Sequence, residues 1–151
     1  MSKVVIADSS CLIALSKIGR LNILQELFGE IIIPPSVYDE VFEKGAGQAG
    51  VKELADCHWI KVQTVENHLA VRALRAFLGP GESEAIILAV EKKADFIILD
   101  DKKARLQAQD LSLPVIGTVA VIKKAVEKKI IPDFSKILKE LSDAGFWFRL
   151  K

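Results

Sequence analysis

Short, wholly apolar runs recur along this chain, and each ends at an acid, a proline or a glycine before a stretch of helical period begins. They are VVIA at 4–7, III at 31–33, FIIL at 96–99 and PVI at 114–116. These runs lack the in-out alternation of a half-exposed strand, so the strands they form must be covered on both faces. Trp59-Ile60-Lys61-Val62 adds a short alternating strand. Strands that alternate with helices cannot pair through tight hairpins. The pattern therefore predicts an α/β fold, a central parallel sheet flanked by helices on both faces.

The intervening segments supply the helices. Asp8-Ser9-Ser10 offers capping side chains for a helix through CLIALSKI, with Gly19 as its stop, and a second helix covers Leu21 to Leu27. After Pro34-Pro35 a helix begins near Ser36, with Val37, Val41 and Phe42 as its apolar stripe. GAGQAG at 45–50 reads as a flexible loop and VKELADC at 51–57 as a helix. Further helices are expected over residues 66–78, from Gly81 through AIILAVEKK, from Asp101 to Leu111, from a Thr118 cap to Lys128, and over 134–142. The aromatic tail Phe146-Trp147-Phe148 follows. Neither a repeat nor a low-complexity linker interrupts the 151 residues, which read as a single domain over 1–151.

Composition narrows the function. A net charge of +1 gives no global steering toward a polyanion, so any nucleic-acid contact must come from local patches. Cys11 and Cys57 sit in apolar surroundings and read as buried thiols; Cys57 with His58 is too few ligands for zinc. VVIA is too short for a signal peptide, and no apolar run is long enough to span a bilayer. The expectation is a cytoplasmic protein without membrane attachment.

The acids carry the chemistry. Asp8 ends the first strand, Glu40 lies in the helix after the second, Glu82 and Glu84 open a helix, and Asp100-Asp101 follow FIIL. In an open parallel sheet the ligand site lies beyond the carboxyl ends of the strands, where these acids would meet. Two carboxylates about 5 Å apart repel by roughly 3 kcal/mol at an effective dielectric of about 20. Each acid has a bland explanation alone: Asp8 or Asp100 as a helix cap, Glu40 as a solvated side chain, Glu82 and Glu84 as first-turn acids. Two apart on a helix, Glu82 and Glu84 cannot both face one pocket. Together the acids suit a hard divalent cation, Mg²⁺ or Mn²⁺, and the in-line displacement of a phosphodiester. That chemistry needs neither a histidine nor a cysteine nucleophile, and the chain places neither convincingly.

The segments VVIADSSCLIAL, PPSVYDEV, GPGESEAIILA and FIILDDKKAR, in that order, resemble the PIN-domain ribonucleases. They are most similar to small prokaryotic PIN proteins of the toxin type with a GExEAI segment and an LDD strand end. The resemblance covers residues 3 to 128. It implies that Asp8, Glu40, Glu84 and Asp101 bind the metal, with Asp100 a possible addition because Leu99-Asp100-Asp101 stands where many members carry T-x-D. It further implies that Ser10 and Thr118 are the accompanying hydroxyls, otherwise helix caps. The implied function is an endoribonuclease acting on single-stranded RNA, with an antitoxin protein as partner and a homodimeric state.

Other acid-bearing or nucleotide-binding sheets do not fit. A response-regulator receiver would have its acidic pair after the first strand. A haloacid-dehalogenase-type phosphatase would have aspartate where Ser10 stands, and a dinucleotide fold would have glycines in DSSCLI. The remaining alternative is a PIN-like module that binds RNA or a partner protein without cutting. Basic residues near the acids, Lys102, Lys103 and Arg105, and elsewhere Arg72, Arg75, Lys92, Lys93, Lys123, Lys124, Lys128 and Lys129, read chiefly as solvated faces.

Overall fold

Five short strands, β1 (Val5–Ala7), β2 (Ile31–Ile33), β3 (Ile60–Val62), β4 (Phe96–Ile98) and β5 (Val115–Ile116), form one sheet in the order β3-β2-β1-β4-β5. Every pairing is parallel, in registers such as Ile6 with Ile32 and Ala7 with Ile98. The structure is a computed structural model that describes residues 3–43, 54 and 56–146. GAGQAG, Trp147 and Phe148 lie outside the described residues, as does most of the helix expected over 51–57.

The helices are α1 (Ser9–Lys17), α2 (Asn22–Phe28), α3 (Pro35–Tyr38), α4 (His68–Leu74), α5 (Pro80–Lys92), α6 (Lys102–Asp110), α7 (Thr118–Glu127) and α8 (Phe134–Asp143). α3 runs on into a π-helical turn, Asp39–Glu43. Most expected boundaries hold to within one or two residues. The exception is the helix expected over 66–78, which shortens to α4. At its start the Glu91 carboxylate accepts the Glu66 and Asn67 N–H groups, and Asn67 then caps the helix through the Ala70 N–H. At its end, Pro80 holds Gly79 in extended backbone at ψ 166°.

The pleat divides the core. Val5, Ala7, Ile31, Ile33 and Ile98 face one layer, packed with Leu12 and Leu15 of α1, Leu24 of α2, Ile122 of α7 and Ile137 of α8. Ile6, Ile32, Ile97 and Leu99 face the other, with Val71 of α4, Ile86 and Leu88 of α5, and Ala104 and Ala108 of α6. Every side chain of β1 and β2 is therefore buried, which explains the unbroken apolar runs. No helix among the described residues is long and apolar enough to cross a membrane.

Position in the sheet sets how much a side chain contributes. Ile97 is fully buried at the centre, whereas Val62 on edge strand β3 is 47 % exposed. Ile97→Ala should cost about 3 kcal/mol in urea unfolding, and Val62→Ala no more than about 0.5 kcal/mol.

Candidate functional site

From β1 the chain moves outward to β2 and β3 on one side, and β4 and β5 complete the other. The crevice beyond the carboxyl ends of β1 and β4 is thus the topological switch point, where open α/β sheets bind ligands. Asp8 follows β1 there, and its N–H extends the ladder to the Ile98 carbonyl at 3.1 Å. Leu99 extends the next ladder to the Ile116 carbonyl at 2.9 Å, and Asp100 emerges just beyond it.

Pleat parity separates the acids. Asp8, next after Ala7, turns to the side of α5. Asp100, two residues after Ile98, turns to the side of α1 and α7. There the Thr118 N–H and hydroxyl donate to its two oxygens at 2.8 and 2.5 Å, and the Ser10 hydroxyl donates at 3.2 Å. Ser10 and Thr118 were equally readable as helix caps; in the structure neither side chain caps a helix, and both bind Asp100. Asp8 also stands at the N-cap of α1 without a capping bond from its side chain.

Glu40 reaches the same crevice from the π-helical turn. Its carboxylate accepts the Ser9 hydroxyl at 2.7 Å and the Gly81 N–H at 3.2 Å. Gly81 is required here by space: a Cβ would lie 2.6 Å from Glu40 Oε1 and 2.9 Å from its Cδ. Glu82, next in α5, accepts the Gly79 N–H at 3.2 Å. Glu84 turns elsewhere. Its Oε1 accepts the Ser36 N–H at 2.9 Å, satisfying an otherwise unpaired donor in the first turn of α3. Asp101 is exposed and caps α6 through the Ala104 N–H at 3.0 Å.

Asp8 is the electrostatic centre. It is only 5 % exposed, and its Oδ1 is buried without a hydrogen-bond partner. Burial pushes its carboxyl from the ordinary 3.8 up to about 7, helped by the charges of Glu82, Glu40 and Asp100 and opposed by the Ser9 N–H. Glu82 is raised as well, by burial and then by Asp101 and Glu40, against the bond from Gly79. Burial, with the Asp100 and Asp8 charges, also drives the Cys11 thiol upward, so Cys11 is no nucleophile. The ion pair formed among the described residues, Arg20 with Glu140 at 3.4 Å, is remote from these acids. A set of oxygen donors that forms no ion pair with a protein cation among the described residues, one of them orphaned and buried, fits a hard divalent ion. Among the described residues no three such side chains converge into a ready-made shell. Protein donors hold their oxygens instead, and their like charges keep them apart.

The structure thus gathers Asp8, Glu40, Glu82 and Asp100, with Asp101 at the rim, and turns Glu84 toward α3. The family resemblance implied Glu84 and Asp101; Glu84 accepts from the first turn of α3, and Asp100, with three hydrogen bonds, is more deeply engaged than Asp101, with one. The Gly-Glu pair, a glycine that admits Glu40 beside an acid on the same turn, carried the signal for Glu82.

The family model described as a PIN domain matches residues 4–151. The chain belongs to the PIN-domain family. Its fold is that of a PIN domain, a nuclease-type fold. Among solved structures it is similar to a PilT N-terminus domain protein from the hyperthermophilic archaeon Sulfolobus solfataricus P2, with a TM-score of 0.59 and 19 % identity. That match covers 82 % of this chain and 94 % of the archaeal one. No curated protein matches the chain.

The raised Asp8 carboxyl makes the stability of this PIN domain depend on pH. The fold accommodates its protonated form, so the stabilisation is fully present below about 3.8 and is lost as pH rises through about 7. The full loss is of order 4 kcal/mol. In EDTA, Asp8→Asn should melt close to the native protein near pH 4 and about 8–16 °C above it at pH 8. A difference independent of pH would show that Asp8 is not strained by its charge. Gly81→Ala, at a helical position that favours alanine by about 0.5–1 kcal/mol, should fold normally while displacing Glu40. Its melting temperature should stay within a few degrees of native while divalent-ion binding, read by calorimetry, weakens at least about tenfold.

Proposed function

We propose that this PIN domain is a Mg²⁺- or Mn²⁺-dependent endoribonuclease that hydrolyses phosphodiester bonds of single-stranded RNA. The observation that carries the reading is the buried Asp8 carboxylate, with one oxygen unpartnered, amid Glu40, Glu82 and Asp100 and, among the described residues, without a lysine or arginine ion pair. Asp8, Glu40, Glu82 and Asp100 would hold the ion, with Asp101 at the rim. When bound, a divalent cation supplies an activated water near neutral pH and offsets charge on the scissile phosphate.

The other tasks fall to the chain. Ser9 and Gly81 orient Glu40, and Thr118 and Ser10 orient Asp100. Glu84 positions α3, and with it the turn that carries Glu40. Asp8, pushed up to about 7, can hold a proton near neutrality in the ion-free state and release it when a cation binds, and burial shifts Glu82 in the same direction. With Cys11 deep in the core and its thiol protonated, water is the nucleophile left to this site.

A finer role, the toxin of a toxin–antitoxin pair acting as a homodimer, is part of the same proposal and rests on the resemblance of the motifs. Exposed Leu69 in α4 and Phe77 just after it offer apolar surface for such contacts. The rival reading, a PIN module that binds RNA without cutting it, draws support from the acids being held by protein donors rather than converging.

Purified protein should cut single-stranded RNA internally with Mg²⁺ or Mn²⁺ and stop in EDTA. Asp8→Asn and Asp100→Asn should each lower cleavage at least about a hundredfold, and Glu84→Gln should lower it less while destabilising α3. Mg²⁺ should raise the melting temperature of the native protein and not that of Asp8→Asn. Metal-independent cleavage, or cleavage retained in the Asp8→Asn, Asp100→Asn double variant, would exclude the mechanism. RNA binding without cleavage would favour the rival.

A further inference from the structure

Arg105 stands one turn into α6 and is half-buried at the rim of the acidic crevice. Its Nη1 lies 3.0 Å from the point where a Cβ on Gly117 would sit, and Asp100 Oδ1 lies 3.1 Å from the same point. Gly117 has ordinary extended backbone, φ −101° and ψ 174°, so its lack of a side chain matters for space and not for conformation. The bare glycine lets the guanidinium and the carboxylate border one small gap between β5 and α7.

These two opposite charges do not pair. Among the described residues the Arg105 guanidinium forms no ion pair and donates no hydrogen bond. Asp100 instead accepts from Thr118 twice and from Ser10. A half-buried guanidinium with its donors unused, beside a carboxylate that does not take them, is arranged for a different anion. Its planar fork matches a phosphodiester, which takes two parallel N–H bonds. Lys102 and Lys103 on the same helix are exposed point charges and lack this fixed placement.

We infer that Arg105 is the phosphate-binding residue of the site, holding a non-bridging oxygen of the nucleic-acid backbone next to the acids. The inference rests on the nuclease reading above and adds the group that brings a polyanion to a cluster of carboxylates, on a chain whose net charge of +1 provides no attraction of its own. Because phosphate contacts read no sequence, Arg105 sets affinity and register and not base preference.

The test uses full-length protein and a short fluorescent single-stranded oligoribonucleotide in Mg²⁺. Binding is measured by anisotropy in the Asp8→Asn background so that the probe survives. Adding Arg105→Gln should weaken binding about tenfold or more and lower the salt slope by about 0.7. Arg105→Lys should restore the salt slope but not the whole affinity, and Lys103→Gln should cost no more than about threefold. In the Asp8-containing protein, Arg105→Gln should raise KM for RNA cleavage and leave the Mg²⁺-induced rise in melting temperature intact. Arg105→Gln that binds within about twofold of its parent, or loses no more than Lys103→Gln, overturns the inference while cleavage by the native protein leaves the nuclease reading standing. Native protein that neither binds nor cuts RNA overturns both.

Discussion

The parallel pairing of β1 with β4 is the constraint on which the rest of the molecule depends. Ala7 opposite Ile98 sets the register, and the bond from the Asp8 N–H to the Ile98 carbonyl carries it one residue past the strand. That single extension places Asp8 in the crevice with its side chain toward α5, and the pleat then turns Asp100 toward α1 and α7. A one-residue slip would exchange the faces of every side chain in β4. It would bury Asp100 against the layer of Ile86 and expose Leu99 to the site. The apolar residues on both faces forbid the slip, so the core and the site are secured by the same ladder.

Gathering acids in one crevice opposes folding, and the structure distributes that cost. Glu40, Asp100, Asp101, Glu82 and Glu84 each accept at least one hydrogen bond from the backbone, and most of those donors belong to the first turns of helices. Helix N-termini carry partial positive charge and unsatisfied N–H groups, so they stabilise carboxylates without supplying a neutralising side chain. Of these acids, Asp8 is the one with a buried oxygen that lacks a partner. The strain is therefore concentrated on the acid at the centre of the site, where a cation would relieve it.

Two glycines shape the site by what they lack. Gly81 admits the Glu40 carboxylate against the backbone of α5, and Gly117 admits both Asp100 and Arg105 against the start of α7. Neither needs a left-handed backbone; both are close approaches of a side chain to a helix terminus. The crevice is thus formed as much by α3, α5 and α7 as by the strands that carry Asp8 and Asp100.

The linear order of apolar runs determined the sheet, its parallel sense and its two covered faces, because fully buried strands have no other arrangement in a chain of alternating elements. It also determined that Asp8, Glu40 and the acids near residues 82 and 100 would share one edge, since each follows a strand or opens a helix there. Which member of each adjacent pair enters the site was decided by tertiary structure alone. The resemblance favoured Glu84 over Glu82, but the packing of α3 against α5 puts the Ser36 N–H within reach of Glu84 and leaves Glu82 to Asp8. Asp101 takes the helix cap, and Asp100 meets Thr118 because β5 brings α7 alongside β4. The shortened α4 has the same origin, a bond from distant Glu91 that no local propensity contains. Short-range periodicity encodes which face a residue occupies, whereas the partner waiting on that face comes from chain segments dozens of residues away.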